Sequence, residues 1–155
     1  MTLYIHIPFC RSKCPYCDFY SQRGILCDMQ LYTNALKERL KRAGQALKGQ
    51  VLTSVYIGGG TPSFIGPELL SEIISSVKEN FTINDNAEFT AECNPSDDIF
   101  TLAPVLYGCG VNRISMGLQS AVVTERRSLG RKSDISLIRD EIKAVRDSGI
   151  ENISL

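Results

Sequence analysis

The sequence predicts an α/β fold with parallel strands, and three observations carry that reading. Short β-branched stretches alternate with amphipathic helical stretches along all 155 residues, the pattern of strand, crossover helix and parallel strand. The unusual residues fall just after successive strands: cysteines after the first, glycines after the second, Glu92 at the end of the third and Gln119 beyond the fourth. In barrels built from such units the functional loops gather at the carboxyl ends of the strands, so these residues should share one rim. Composition agrees, with 43% hydrophobic and 22% charged residues, as in an ordinary globular domain.

The first strand is expected over Leu3 to Ile7, followed by Cys10-Arg11-Ser12-Lys13-Cys14-Pro15-Tyr16-Cys17. Asp28 can cap a helix from Met29 to Ala43, with Leu31, Leu36, Leu40 and Leu47 as its apolar stripe and Gly44 and Gly49 as punctuation. Val51 to Ile57 reads as a second strand that ends in Gly58-Gly59-Gly60-Thr61-Pro62. Pro67 opens a helix whose Leu69, Leu70, Ile73, Ile74 and Val77 face inward. A third strand, Ala87 to Glu92, leads to a helix from Asp97 to Tyr107, in which Pro104 predicts a kink or an early stop. Asn112 to Met116 makes a fourth strand. Ser133 or Asp134 then opens a helix with Ile135, Ile138, Ile142 and Val145 inward and Gly149 at its end, before a fifth strand at Glu151 to Leu155. Residues 1–155 read as one domain without an internal linker. The last strand breaks off without a turn, and a closed barrel takes about 250 residues, so the expectation is an N-terminal fragment of a longer barrel.

Function classes narrow quickly. Acidic and basic residues balance at 17 each, leaving no basic field to recruit nucleic acid or an anionic membrane. No apolar run approaches the ~20 residues of a membrane span, and the start lacks the regions of a signal peptide, so a cytoplasmic location is expected. Three thiols within eight residues suit a metal in such a compartment. On an iron-sulfur cluster they would leave one iron without a protein ligand, open to a small molecule. Structural zinc remains an alternative, with His6, the only histidine, completing a Cys3His set. A disulfide with a spare thiol is another, and chance clustering of core cysteines leaves Arg11, Ser12 and Lys13 unexplained. Cys27, Cys93 and Cys109 read as small buried hydrophobes. Gly58 to Gly60 would let a backbone approach a ligand and expose its amide and carbonyl groups, or form a plain turn, with Thr61 held extended by Pro62. Glu92 is a carboxylate at the end of an apolar strand, either a ligand contact or a solvated strand end.

These motifs together resemble a known family. Tyr4-Ile5-His6-Ile7-Pro8-Phe9-Cys10 and Cys14-Pro15-Tyr16-Cys17-Asp18-Phe19 are similar to the cluster loop of the radical S-adenosylmethionine (SAM) superfamily. More narrowly they resemble the branch that holds oxygen-independent coproporphyrinogen III dehydrogenase and the haem chaperones. The resemblance implies the N-terminal part of a partial (β/α)6 barrel and a 4Fe-4S cluster on Cys10, Cys14 and Cys17. It implies SAM contacts from Gly59, Gly60 and Thr61 to the amino group, from Glu92 and Gln119, and from Arg131 to the methionyl carboxylate, for which a guanidinium fork is suited. Tyr4 and Tyr16 match positions near the cofactor, and either could equally be a half-buried core aromatic. Ser133 departs from the pattern, since members usually carry a histidine there.

The implied chemistry is reductive cleavage of SAM to methionine and a 5'-deoxyadenosyl radical that abstracts hydrogen from a substrate. Phe19 stands where the dehydrogenase carries a further cysteine, which favours the haem chaperone branch. The implied partners are haem or porphyrin, an electron donor such as a flavodoxin or ferredoxin, and haem-recipient proteins. Two readings stay open beside it: oxidative decarboxylation of coproporphyrinogen III, and a zinc-stabilised interaction module without catalysis.

Overall fold

The computed structural model describes residues 1–95, 97–131 and 134–155. In chain order the elements are β1 (Thr2–Ile7), β2 (Phe9–Cys10), β3 (Gln22–Arg23), α1 (Leu26–Ala46), β4 (Val51–Gly59), a 3-10 turn at Pro62–Ile65, α2 (Gly66–Asn80) and β5 (Thr82–Cys93). They continue as α3 (Ile99–Gly108), β6 (Arg113–Met116), α4 (Val123–Ser128), α5 (Ile135–Asp147) and β7 (Asn152–Ser154). Five strands form one sheet in the order β1-β4-β5-β6-β7, and every pairing is parallel. Each new strand is added beside the last, so the sheet winds in one direction as in a barrel, without the reversal of a doubly wound fold.

The two faces of this sheet differ in chemistry. Ile5, Ile7, Val55, Ile57, Phe89, Ala91, Ile114 and Met116 are buried in the core with Leu70, Ile73 and Ile74 of α2 and Leu102 and Leu106 of α3. The alternate positions are polar: Tyr4 lies opposite Tyr56, Tyr56 opposite Thr90, Thr90 opposite Arg113, and Glu92 opposite Ser115. A parallel sheet is usually apolar on both sides. Here the side away from the helices is a polar wall.

Several expectations are corrected. Helix α1 begins at Leu26, Ile25 stands at its N-cap, and Asp28 lies within the first turn without capping it. Its inward stripe is Met29, Thr33, Leu40 and Gly44, while Leu31 is 63% exposed and Leu47 is also exposed. Leu31 sits about 200° around the helix from Met29 at 100° per residue, which turns it away from the core. Gly44 is required there, because a Cβ would stand 2.3 Å from the backbone oxygen of Asn80 at the end of α2. Helix α3 passes through Pro104 to Gly108 without an early stop. Burial of Leu102, Ala103 and Leu106, at about 1.5–3 kcal/mol for each large side chain, outweighs the ~3 kcal/mol that the proline costs. Asp98 caps α3, accepting from the Thr101 amide at 3.2 Å, which leaves Asp97 for another task. Asp134 caps α5 by accepting from Ser136 N–H at 2.9 Å, whereas Ser133 lies outside the described residues. Cys27 is exposed, contrary to expectation, while Cys93 is buried and Cys109 half-buried. Among the described residues no helix is long and apolar enough to cross a membrane.

Candidate functional site

The cysteine loop is built by two short strands. β2 pairs in parallel with β3, and the Gln22 amide donates to Pro8 O at 2.7 Å, so residues 11–21 form a closed excursion at the end of β1. Within it the Cys17 amide donates to Cys14 O at 3.1 Å, and Lys13 Nζ donates to Phe19 O and to Ser21 Oγ. His6 holds the outgoing chain: its Nε2 meets Tyr20 O at 2.9 Å. A carbonyl only accepts, so Nε2 carries the proton, and Nδ1 accepts from the Tyr4 hydroxyl at 2.9 Å. Both ring nitrogens of His6 are thus engaged by Tyr4 and Tyr20, and His6 does not line the cleft that the cysteines share. Among the described residues no three His, Cys, Asp or Glu side chains converge as they would on one metal ion. Cys10, Cys14 and Cys17 are all free thiols, half-buried, lining the same cleft. Three soft donors spread around an open cleft fit an iron-sulfur cluster, which is larger than a single ion.

The glycine loop packs directly behind them. Gly59 has φ +118°, and a Cβ there would lie 2.6 Å from the His6 ring, so only glycine fits. The amides of this stretch, expected to face a ligand, are used inside the protein. Gly60 N–H donates to Ile7 O at 2.8 Å and Thr61 N–H to Phe9 O at 2.8 Å. The Thr61 hydroxyl donates to Cys10 Sγ at 3.5 Å. Gly59 N–H donates to Glu92 Oε2 at 3.0 Å, and the Tyr56 hydroxyl donates to Glu92 Oε1 at 2.6 Å. Both oxygens of Glu92 are thus oriented from β4. Burial, then the hydrogen bond to Glu92 and its charge, push the Tyr56 hydroxyl up to about 12, which keeps it a donor.

A third group of residues ties the rim together. Arg131 Nε donates to the Tyr16 hydroxyl at 3.0 Å and its terminal nitrogen to Asn94 Oδ1 at 2.5 Å. The Asn94 amide donates to Ser63 Oγ at 3.0 Å, and the Ser63 hydroxyl donates to Asp97 Oδ2. Asp97 faces Arg11 at 3.5 Å. Burial pushes the Asp97 carboxyl up, against the pull of Ser63 and Arg11. Gln119, after β6, has φ +71°, a conformation uncommon for a residue with a side chain and one that marks functional turns.

These elements enclose a cleft of about 890 Å³ lined by Cys10, Cys14, Cys17, Tyr16, Gly59, Gly60, Thr61, Glu92, Gln119 and Arg131. Tyr4 does not line it; its ring stacks on Tyr56 at 6.1 Å and its hydroxyl serves His6. Sequence reasoning missed Tyr56, Ser63, Asn94 and Asp97. Polar residues at alternate positions of β4 and β5 were the available signal for Tyr56, while Ser63 and Asn94 carry none. Asp97 reads in the sequence as the start of a helix, which Asp98 caps instead.

The chain matches the model of the radical SAM superfamily over residues 4–155. It is 31% identical over 160 residues to the heme chaperone HemW of Haemophilus influenzae, covering all of this chain and 42% of that protein. It is 29% identical over 157 residues to the oxygen-independent coproporphyrinogen III oxidase of Paracoccus denitrificans, covering 99% of this chain and 35% of that one. The structure of coproporphyrinogen III oxidase (HemN) from Escherichia coli, a radical SAM enzyme, superposes with a TM-score of 0.91 at 27% identity, over 98% of this chain and 35% of its own. The chain therefore spans about two fifths or less of the length of these relatives. With its parallel five-stranded sheet and its cysteine loop after the first strand, the chain belongs to the radical SAM superfamily.

Proposed function

We propose that this chain is the cluster- and SAM-binding part of a haem chaperone of the HemW type. The observation that carries the reading is the single cleft shared by three free cysteines, the glycine loop, Glu92, Gln119 and Arg131. When bound, a 4Fe-4S cluster supplies an electron for the reductive cleavage of SAM, as the family implies. Cys10, Cys14 and Cys17 would hold it, three thiolates for four irons, and SAM would take the remaining position. The loop amides at Gly59 to Thr61 are engaged within the protein, and Thr61 O accepts from Phe64 N–H at 3.0 Å, so the SAM amino group, a donor, is left to the carbonyls of the glycines. Glu92, aimed by Tyr56 and Gly59, offers its remaining lone pairs to the same ligand. Arg131 keeps donors beyond those given to Tyr16 and Asn94, enough for a carboxylate. A cleft of about 890 Å³ is within the usual range for a small-molecule site.

The choice of the chaperone over the decarboxylase rests on Phe19. It lines the cleft and is 69% exposed, and it supplies neither a thiol nor a proton donor where the resemblance implies a cysteine in the decarboxylating branch. Haem, haem-recipient proteins and a flavodoxin- or ferredoxin-like electron donor are the partners of this reading. The second reading, oxidative decarboxylation of coproporphyrinogen III, is favoured by the likeness to HemN. Anaerobic reconstitution of the full-length protein with iron and sulfide should give a reducible 4Fe-4S cluster, lost in Cys10→Ser, Cys14→Ser and Cys17→Ser and kept in the matching Cys27, Cys93 and Cys109 variants. Haem should then bind with a Soret band that persists through gel filtration. Release of carbon dioxide from labelled coproporphyrinogen III, dependent on SAM and reductant, would sink the chaperone reading in favour of the dehydrogenase.

A further inference from the structure

We infer that Asp97 is a positioning residue that latches the cysteine loop through Arg11 and so slows the loss of the iron-sulfur group held there. The inference rests on the cluster-binding reading above.

Asp97 and Asp98 are adjacent but do different work. Asp98 caps α3, so the helix does not need Asp97. The Asp97 side chain is only 5% exposed, and a carboxylate so placed requires partners. One is Ser63, whose hydroxyl donates to Oδ2. Ser63 is itself fixed by the Asn94 amide, so the carboxylate has a set direction. Its other oxygen, Oδ1, faces Arg11 at 3.5 Å. Arg11 follows the first cluster cysteine directly and is 67% exposed. A side chain of that kind would ordinarily be free in solvent, yet its guanidinium also lies 5.6 Å from the Phe64 ring centroid. A buried anion on one side and an aromatic face on the other give it a defined seat.

The second anchor of the loop is Tyr16, held by Arg131, which is joined through Asn94 to the same turn after β5. The span from Cys10 to Cys17 is thus gripped near both ends, through Asp97 at Arg11 and through Asn94 and Arg131 at Tyr16. A loop gripped in this way presents its thiols already oriented, and an iron that dissociates from one of them meets it again before the loop can move away.

The test uses the full-length protein, reconstituted anaerobically, with iron release to a chelator followed by absorbance. Arg11→Ala and Asp97→Asn should each release iron roughly two- to fivefold faster, the range a partly exposed ion pair supplies. Because both remove the same pair, the double variant should be no faster than the worse single one. Arg11→Lys, which keeps the charge, should recover part of the loss. Asp98→Ala removes the α3 cap and should lower the melting temperature while leaving iron release at the parent rate. Variants that release iron at the parent rate, or effects that add in the double variant, overturn the inference alone. A parent protein that takes up no cluster overturns both the inference and the reading it rests on.

Discussion

Glu92 shows what one side chain needs from another. Its oxygens are held by Tyr56 at 2.6 Å and Gly59 N–H at 3.0 Å, so the carboxylate is aimed before any ligand arrives. Tyr56→Phe keeps the ring and removes only the donor, a hydrogen bond to a charged group worth about 1.5–3 kcal/mol. SAM affinity, measured by titration of the reconstituted protein, should fall about tenfold or more with cluster content unchanged. Glu141 poses a different question. It is 1% exposed on α5, with no hydrogen-bond partner for Oε2 among the described residues, and burial, then the charge of Asp97, push its carboxyl from 4.5 up to about 7. The folded protein therefore keeps this proton where the unfolded chain has lost it. Stability should be complete below pH 4.5, fall as pH rises toward 7 and stay low above it, by at most about 3 kcal/mol. Glu141→Gln should flatten that slope and raise the melting temperature at pH 8; an unchanged profile would refute it.

Helices and strands obeyed their packing more than their local signals. The glycines after Ile57 predict the end of the second strand there, yet β4 continues to Gly59, because the neighbouring β1 supplies partners at His6 and Ile7. α1 turns Met29 and Thr33 inward, and Leu31, about 200° around the helix from Met29, is turned outward. Where α1 crosses α2, Gly44 brings the two backbones together. Gly44→Ala gains helix propensity but places a methyl group against the Asn80 oxygen, so it should destabilise by about 1–3 kcal/mol. Chemical denaturation would check this, and a gain in stability would mean that the helices separate freely. The short helix Val123–Ser128 and the β2–β3 pair had no periodic signature in so few residues and went unpredicted.

At the scale of the whole sheet, the polar wall is also a structural joint. Arg113 on β6 reaches Thr90 Oγ1 at 3.2 Å and Glu88 at 3.6 Å on β5, and Ser154 Oγ at 2.6 Å on β7. Arg113→Ala removes contacts to both neighbouring strands and should lower stability by about 1–2 kcal/mol, more than its exposed pair with Glu88 alone would supply. Amide hydrogen exchange should localise the loosening to β7. Protection there equal to the parent would show that the strand is held by its backbone ladder.

The sequence by itself determined the order and type of the main elements, the parallel sheet and the cysteine loop, because periodicity and residue spacing are local properties that the chain carries anywhere. Tertiary structure decided which polar groups meet. Glu92 and Tyr56 are 36 residues apart, Arg11 and Asp97 further still, and Arg131 and Tyr16 are 115 apart. None of those pairs has a local signature. They exist because strands added side by side in one direction bring the carboxyl ends of β1, β4, β5 and β6 to a single rim, and a buried polar group placed there is stable only with the partner that the neighbouring strand or turn supplies.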